Sequence, residues 1–240
     1  MVVSKMKAYF MRITEPMQIP AVVYETQARA VSEPVYVFLD HQEKPNVVRG
    51  RFQPMEGHEG ITEIKRPDGG LSWAHPHTRC MILAQPKDRS CIASSQESWG
   101  NSLKDWLVRK GYRASSITYS NSDLYLVNGS TKHIMGMSGR IGKENGRMVK
   151  LQRACWYEKN PMEDISDILK ADKIDPCAFK QRLQLVQSGL FETIVGKLQS
   201  EEVLAEDFIS PLSMERAVKL QACTKGSYRG YCVTGVKENI

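Results

Sequence analysis

Short runs of apolar, β-prone residues predict three strands in the first part of the chain. They lie at 34–39 (PVYVFL), 46–52 (NVVRGRF) and 79–84 (RCMILA), and runs of this kind between turn-forming residues are typical of strands. Residues 54–70 are rich in glycine and proline, so we expect a loop around one short strand there.

Apolar residues at helical spacing predict several helices. Between 95 and 110, two tryptophans and two leucines fall on one face, and Gly111 stands where a C-terminal cap belongs. Further helices are predicted at 162–170, across roughly 178–199 and at 212–222, the last ended by Lys225-Gly226.

Two Asn-Gly pairs mark hairpin turns between the first helix and the later ones. Asn128-Gly129 and Asn145-Gly146 are both flanked by β-prone residues, and such pairs favour tight hairpin turns. They predict an antiparallel meander with strands at about 123–127, 132–141 and 147–157. Strands, a helix, strands and then helices indicate an α+β fold, with a mixed or antiparallel sheet packed on helices.

The composition is that of an ordinary globular protein, and it limits the kinds of binding partner that we expect. Hydrophobic residues make up 41% of the 240, and no apolar run approaches the length of about 18 residues that a membrane helix needs. The net charge of +6 suits an acidic partner, whereas the scattered Lys and Arg residues make nucleic acid possible but not favoured. None of the six cysteines forms a CxxC pair, which argues against structural zinc and for a reducing compartment. We expect a cytoplasmic protein without membrane contact, an organelle matrix remaining open.

The stretch KRPDGGLSWAH, residues 65–75, combines a turn with basic residues. Pro67 to Gly70 is a strong turn signal by itself. Glycines also let backbone N–H groups approach a phosphate, which Arg51 and Arg66 would neutralise. The pattern alone fits both a structural turn and a ligand site.

Four motifs in order carry a resemblance to a known family. They are Gly50-Arg51-x-Gln53, then Lys65, Arg66, Gly69, Gly70 and His75, then Asn121-Ser122-Asp123-Leu124, and finally Lys132-His133-Ile134-Met135-Gly136-Met137-Ser138. In this order, residues 20–185 resemble the catalytic domain of lipoate–protein ligases and their relatives, the biotin–protein ligases and octanoyltransferases.

The resemblance implies a class II synthetase-like catalytic core at 1–185, with a helical C-terminal extension at 186–240 packed on it. It implies transfer of lipoate, octanoate or a related group through an acyl-adenylate to a lysine of a small acidic lipoyl-type carrier domain. ATP and magnesium would be required, with Asp123 facing the metal. The implied binding residues, which we expect to meet at one cavity, are Arg51, Arg66, Gly69, Gly70, His75, Asp123, Gly136 and Ser138.

Two departures from the family pattern concern catalysis. Leu71 stands where the family usually has a third glycine, and His133 stands where it has its central lysine. Lys132 is adjacent, but neighbouring side chains of a strand point to opposite faces. Lys132 would therefore reach the site only through a bulge or a one-residue slip, so Lys132 and His133 are both candidate catalytic residues.

Two alternatives follow from other residues. Ile174-Asp175-Pro176-Cys177-Ala178 resembles the octanoyltransferase segment whose cysteine takes the acyl group, which makes Cys177 the candidate nucleophile of an ATP-independent octanoyltransferase. Most free cysteines are instead small buried hydrophobes. The absence of an aligned lysine also fits a non-catalytic relative that binds a ligand or serves as a structural or RNA-associated subunit.

Overall fold

The computed structural model describes residues 6–51, 53–69 and 71–222, with the backbone alone at Leu71 and Ser72. The strands are β1 Lys7–Ile13, β2 Val35–His41, β3 Asn46–Gly50, β4 Thr62–Arg66, β5 Leu71–Ala74, β6 Thr78–Pro86, β7 Ile117–Ser120, β8 Asp123–Asn128, β9 Ser130–Glu144, β10 Arg147–Tyr157 and β11 Glu201–Glu202. The helices are α1 Gln18–Arg29, α2 Ile92–Arg109, α3 Met162–Ala171, α4 Pro176–Arg182, α5 Leu190–Lys197, α6 Ala205–Phe208 and α7 Pro211–Gln221.

The strands form a large mixed sheet and a small one. The large sheet has the order β11-β1-β2-β6-β10-β9-β8-β7. Its first two pairs, β11–β1 and β1–β2, are parallel, and its other pairs are antiparallel. The small sheet has the order β4-β3-β5. The prediction of an α+β fold with a mixed sheet packed on helices is confirmed.

Both Asn-Gly pairs connect antiparallel strands as predicted, but at Asn128-Gly129 only the glycine has positive φ. Asn145 and Gly146 have φ of 48° and 79°, as a type I′ turn between antiparallel strands requires. Gly111, with φ of 95°, follows α2 in the left-handed conformation that ends many helices. The helix itself begins earlier than predicted, at Ile92, after Cys91 accepts a hydrogen bond from the Ser94 N–H.

Two parts of the secondary structure differ from the prediction. No element was assigned before residue 34, yet β1 and α1 lie there. The single helix expected across 178–199 is wrong, because α4 ends at Arg182 and α5 begins at Leu190. Between them the chain runs beside β9, where the Gln184 N–H donates to the His133 carbonyl at 2.8 Å. Lys225-Gly226, the predicted end of the last helix, lies outside the described residues.

The two faces of the large sheet bury two apolar clusters. One face packs against α2 and α5 and includes Trp99, Leu103, Trp156 and Phe191. The other packs against α1 and the small sheet. The described part of the predicted C-terminal extension packs on the core, through α5 and through α7 against α1. The boundary at residue 185 stays a prediction. No helix in the described ranges has the length and apolarity needed to cross a membrane.

Candidate active site

A cavity of about 510 Å³ opens where β9 and β10 meet α4. Its size lies within the usual range of small-molecule sites. It is lined by Arg66, Trp73, Thr78, Asp123, His133, Gly136, Met137, Ser138, Arg153, Cys155, Tyr157, Ile174, Asp175, Ala178, Phe179, Arg182 and Leu183. We call it the main cavity.

The floor of the main cavity is formed by alternate residues of neighbouring strands. Arg153 and Cys155 of β10 share one face of the sheet, because successive side chains of a strand point to opposite faces. Cys155 lies directly opposite Gly136 of β9 on one side and Cys80 of β6 on the other. Cross-strand partners present their side chains to the same face, so these residues form one row across the sheet.

A β-bulge sets the position of His133. Leu124 pairs with Met135 and Tyr125 pairs with His133, which leaves Ile134 as an extra residue on β9. A bulge re-aims the side chains beside it, and here His133 turns toward Gly136. A Cβ placed at Gly136 would lie 3.5 Å from His133 Cε1. The bulge considered for Lys132 therefore exists, but it brings His133 to the cavity.

Asp123 fixes the His133 ring. Its Oδ2 lies 3.2 Å from His133 Nε2, and its Oδ1 accepts the Met137 N–H at 2.7 Å. Tyr125 packs edge-on against the same imidazole, with ring centroids 5.5 Å apart. The carboxylate thus joins β8 to β9 at the edge of the cavity and orients the imidazole.

Two arginines are buried at the floor with one carboxylate. The Nε atom of Arg66 lies 3.2 Å from Asp68 Oδ1, and Ser138 donates to Asp68 Oδ2 at 2.5 Å. Burial lowers the pKa of Arg66, and the nearby charge of Arg153 lowers it further. Burial would raise the pKa of Asp68, but both guanidiniums and the Ser138 hydroxyl outweigh it and lower that pKa.

A pair of thiols completes the floor. Arg153 Nε donates to Cys80 Sγ at 3.0 Å. Burial raises the pKa of Cys80. Burial would also raise the pKa of Cys155, but the hydrogen bond with Cys80 and the charges of Arg153 and Arg66 outweigh it and lower the pKa to about 6. Cysteines with a lowered pKa beside cations are the reactive ones.

Helix α4 forms the apolar wall opposite the sheet. Asp175 caps its first turn by accepting the Cys177 N–H at 2.9 Å and the Ala178 N–H at 3.3 Å. Phe179 packs edge-on against Trp73 of β5, with ring centroids 5.4 Å apart. Cys177 itself is exposed and does not line the cavity.

A second cavity of about 440 Å³ adjoins the first. It is lined by Arg51, Pro67, Asp68, Gly69, Lys87, Arg89, Ser90, Cys91, Ile92, Ala93, Gly139, Arg140 and Ile141. The hydrogen bond between Ser138 and Asp68 stands between the two cavities. Four basic side chains, the N-terminal turn of α2 and one carboxylate, Asp68, surround this second cavity, so basic groups outnumber acidic ones there.

The residues predicted to share one cavity divide between two. Arg66, Asp123, His133, Gly136 and Ser138 line the main cavity, and Arg51 and Gly69 line the second. Lys132 and Cys177 line neither. Gly70 lies outside the described residues.

His75 lies behind the main cavity instead of lining it. Its ring stacks on Tyr157, with centroids 5.2 Å apart, and its Nδ1 lies 3.3 Å from Asp164 Oδ2. Burial lowers the pKa of His75 to about 4, although the charge of Asp164 acts in the opposite direction. The imidazole is therefore neutral at pH 7 and supports the Tyr157 ring.

Sequence reasoning missed the contribution of β10. Arg153, Cys155 and Tyr157 recur at the two-residue spacing of a strand. That spacing places an arginine and a cysteine on one face of a predicted strand. This spacing could have indicated the site, because an arginine on a buried sheet face is unusual and suggests a role other than packing.

Comparisons with known proteins identify the fold. No protein-family model and no curated protein matches the sequence. Two solved structures, lipoate-protein ligase A bound with ATP and a putative lipoate protein ligase from Thermoplasma acidophilum with bound lipoic acid, each superpose with a TM-score of 0.62 at 16% identity, over 92% of this chain and 95% of theirs. A bipartite lipoate protein ligase from T. acidophilum, studied with its E2 lipoyl domain, gives 0.54 at 17%, over 91% and 84%. The chain has the fold of the lipoate–protein ligase catalytic domain, and the predicted resemblance is confirmed at that level.

Proposed function

We propose that this protein activates a lipoyl or related acyl group as an acyl-adenylate and transfers it to a lysine of a small acidic carrier domain. The observation that carries the proposal is the composition of the main cavity, which joins an apolar wall to two buried guanidiniums on a lipoate ligase fold. An acyl chain with a phosphate at its activated end has the same two-part chemistry.

The apolar wall suits the acyl chain. Trp73, Ile174, Phe179 and Leu183 face the cavity from β5, α4 and the segments on either side of α4. Each methylene placed against such a wall contributes about 0.8 kcal/mol of binding free energy. An eight-carbon chain would therefore bind mainly through this side, and the floor would meet its polar end.

The basic side chains suit the phosphates of ATP. Arg66 and Arg153 lie at the floor of the main cavity, and Arg51, Lys87 and Arg89 surround the second. Guanidiniums bind phosphate oxygens through paired N–H donors. The two cavities adjoin at Ser138, so we place the nucleotide across that boundary with its α-phosphate toward the main cavity.

Magnesium at Asp123, which the resemblance implied, is not supported by the donors around it. Both oxygens of Asp123 already face a donor or an imidazole nitrogen. Among the described residues, no three side chains of His, Cys, Asp or Glu cluster as metal ligands. We derive no step through magnesium, and this site stays a prediction.

The carrier is proposed from charge and from the solved structures. The net charge of +6 favours association with an acidic domain. A protein of the same fold was studied together with its E2 lipoyl domain. The lysine of such a domain would attack the acyl carbon in the open mouth of the main cavity, held there in an effectively intramolecular step.

The two alternatives are separated by specific residues. An octanoyltransferase based on Cys177 has little support, because that thiol is exposed and outside the main cavity. A non-catalytic protein is favoured by His133 in place of a lysine, since the ammonium would provide a fixed charge at the reacting carbonyl. A measurement of turnover distinguishes this non-catalytic alternative from the proposed enzyme.

The test is acylation of a lipoyl domain. The protein is incubated with ATP, magnesium and lipoate, octanoate or biotin, and the mass of the lipoyl domain is measured with and without ATP. We expect one added acyl group, dependent on ATP and absent when the carrier lysine is changed to alanine. A folded protein that gives no ATP-dependent acylation with any of the three acids would contradict the proposal and favour the non-catalytic interpretation.

A further inference from the structure

Cys155 occupies a position in the main cavity that the resemblance does not explain. It is half-buried on β10 and lines the cavity, whereas Cys80 beside it is fully buried and Cys177 is exposed outside it. A thiol at the floor of a cavity can contact a molecule that binds there.

His133 and Asp123 lie across a single glycine from Cys155. Cys155 is the direct cross-strand partner of Gly136. A Cβ at Gly136 would lie 3.7 Å from His133 Nε2 and 4.0 Å from Asp123 Oδ1. Cross-strand Cβ positions are about 5 Å apart, so the thiol and the imidazole flank the space that a Gly136 side chain would fill.

Around Gly136 lie a thiol, an imidazole and a carboxylate, the groups that can serve as a nucleophile, a base and the group that orients the base. Asp123 Oδ2 lies 3.2 Å from His133 Nε2, which orients the ring. The neighbouring charges of Arg66 and Arg153 favour the thiolate of Cys155, and its pKa is lowered to about 6 once they and Cys80 outweigh burial. The thiolate is the nucleophilic form of cysteine.

The geometry points to Cys155 as a catalytic nucleophile that takes the acyl group from its activated donor as a thioester and then passes it to the carrier lysine. The inference rests on the proposed function, because it describes a route for the same acyl transfer. Cys155 would take over the role of the missing lysine. It would hold the acyl group covalently, where the lysine would act through its fixed positive charge.

Two displacements make up the route. The Cys155 sulfur attacks the acyl carbonyl carbon, the bond from that carbon to the leaving group breaks, and the electron pair departs with AMP or with a donor thiolate. Any thiol proton passes to the His133 imidazole. The carrier amine nitrogen then attacks the thioester carbon, the carbon–sulfur bond breaks, Cys155 leaves as the thiolate, and the proton lost by the amine passes through His133 to water.

Intact-mass measurement without a carrier tests the thioester. The full chain is incubated either with ATP, magnesium and octanoate or with an octanoyl thioester, and is then quenched in acid. We expect one added octanoyl group that neutral hydroxylamine removes, as it removes thioesters but not amides. The two donors distinguish an adenylate from a thioester as the source of the acyl group.

Peptide mapping of the parent adduct locates it without any variant. We expect it on the peptide that contains Cys155, absent in Cys155→Ser and present in the matched variant Cys177→Ser. An adduct on any other residue, or one retained by Cys155→Ser, would overturn the inference. The mapping keeps the test valid if Cys155→Ser does not fold.

The inference and the proposed function fail in different ways. Acylated carrier with no adduct from either donor would overturn the Cys155 route and leave the proposed function standing. An adduct on Cys155 without acylated carrier would support capture of the acyl group by Cys155, and would contradict both the second displacement of the route and transfer to a lipoyl domain. With neither product from a folded chain, both fail.

His133→Lys gives a second readout. If the carrier lysine attacks the adenylate directly, restoring the family's ammonium raises the rate of transfer by about a hundred- to a thousandfold. If Cys155 is acylated first, the same change removes the imidazole that we assign as the base and lowers the rate of adduct formation. A rise in the rate of carrier acylation in His133→Lys would therefore overturn the Cys155 route.

Discussion

The two faces of strand β10 carry chemically different side chains. On one face, Ala154 and Trp156 join the apolar cluster under α2 and α5. On the other, Arg153 and Cys155 form the floor of the main cavity. Trp156 on the first face and Arg153 on the second are both nearly fully buried, at 1% and 2% exposed.

The apolar face stabilises the fold, whereas the face with Arg153 and Cys155 is the one to which we assign the chemistry. Burying a tryptophan stabilises the folded state, whereas burying a guanidinium opposes it unless the charge is paired. Arg153 and Arg66 share Asp68 as their nearby buried carboxylate. We therefore assign this sheet face to binding or reaction, because packing alone would favour apolar residues of the same volume.

The largest expected effect concerns the apolar face. Trp156→Ala should lower the free energy of unfolding by about 3–5 kcal/mol, because it leaves a cavity beside Phe191 in the cluster under α2. Urea denaturation followed by circular dichroism measures the change. Cys155→Ala on the opposite face is the matched comparison and should cost clearly less. Equal losses for the two variants would contradict the division between the faces.

The second prediction concerns His75, which lies behind the main cavity, and the way in which the free energy of unfolding depends on pH. Burial lowers the pKa of His75 to about 4 in the folded state, below the unfolded value of about 6.5. The unfolded chain therefore binds the proton more readily. The stability that neutral His75 provides is fully present above pH 6.5 and is lost as the pH falls toward 4, by at most about 3 kcal/mol.

Unfolding free energies measured from pH 7 to pH 4 check this effect. His75→Phe keeps a ring against Tyr157 and removes the titrating group, so its stability should fall less over that range than the stability of the parent. Parallel curves for the parent and the variant would show that His75 is not held neutral by its burial.

The sequence predicts the parts of this structure that local chemistry determines. Asn145-Gly146 specifies its hairpin because both residues adopt positive φ, and Gly111 ends α2 for the same reason. Helix α1 was not predicted, because it is buried on nearly all sides. It therefore lacks the alternation of apolar and polar residues that marks a helix with one buried face. The break between α4 and α5 depends on pairing with β9, which is a long-range contact that no local pattern contains.

The same limit applies to the candidate site. The motifs around Arg66, Asp123 and Gly136 could be found in the sequence because their order resembles a family. The division into two cavities depends on the contact between Ser138 and Asp68, which are 70 residues apart. Which of Lys132 and His133 turns inward depends on a bulge whose position follows from the pairing of β8 with β9.

The central claim is that the main cavity binds an activated acyl group, and calorimetry with a non-hydrolysable acyl-adenylate, octanoyl sulfamoyl adenosine, tests it most directly. Ala178 lines the cavity on α4, whereas Lys180 on the same helix is exposed and does not. We predict one-to-one binding to the parent and to Lys180→Trp, and binding at least about tenfold weaker, or 1.4 kcal/mol, to Ala178→Trp, whose indole fills the cavity. Absence of binding to the parent, or equal affinity in all three proteins, would contradict the account.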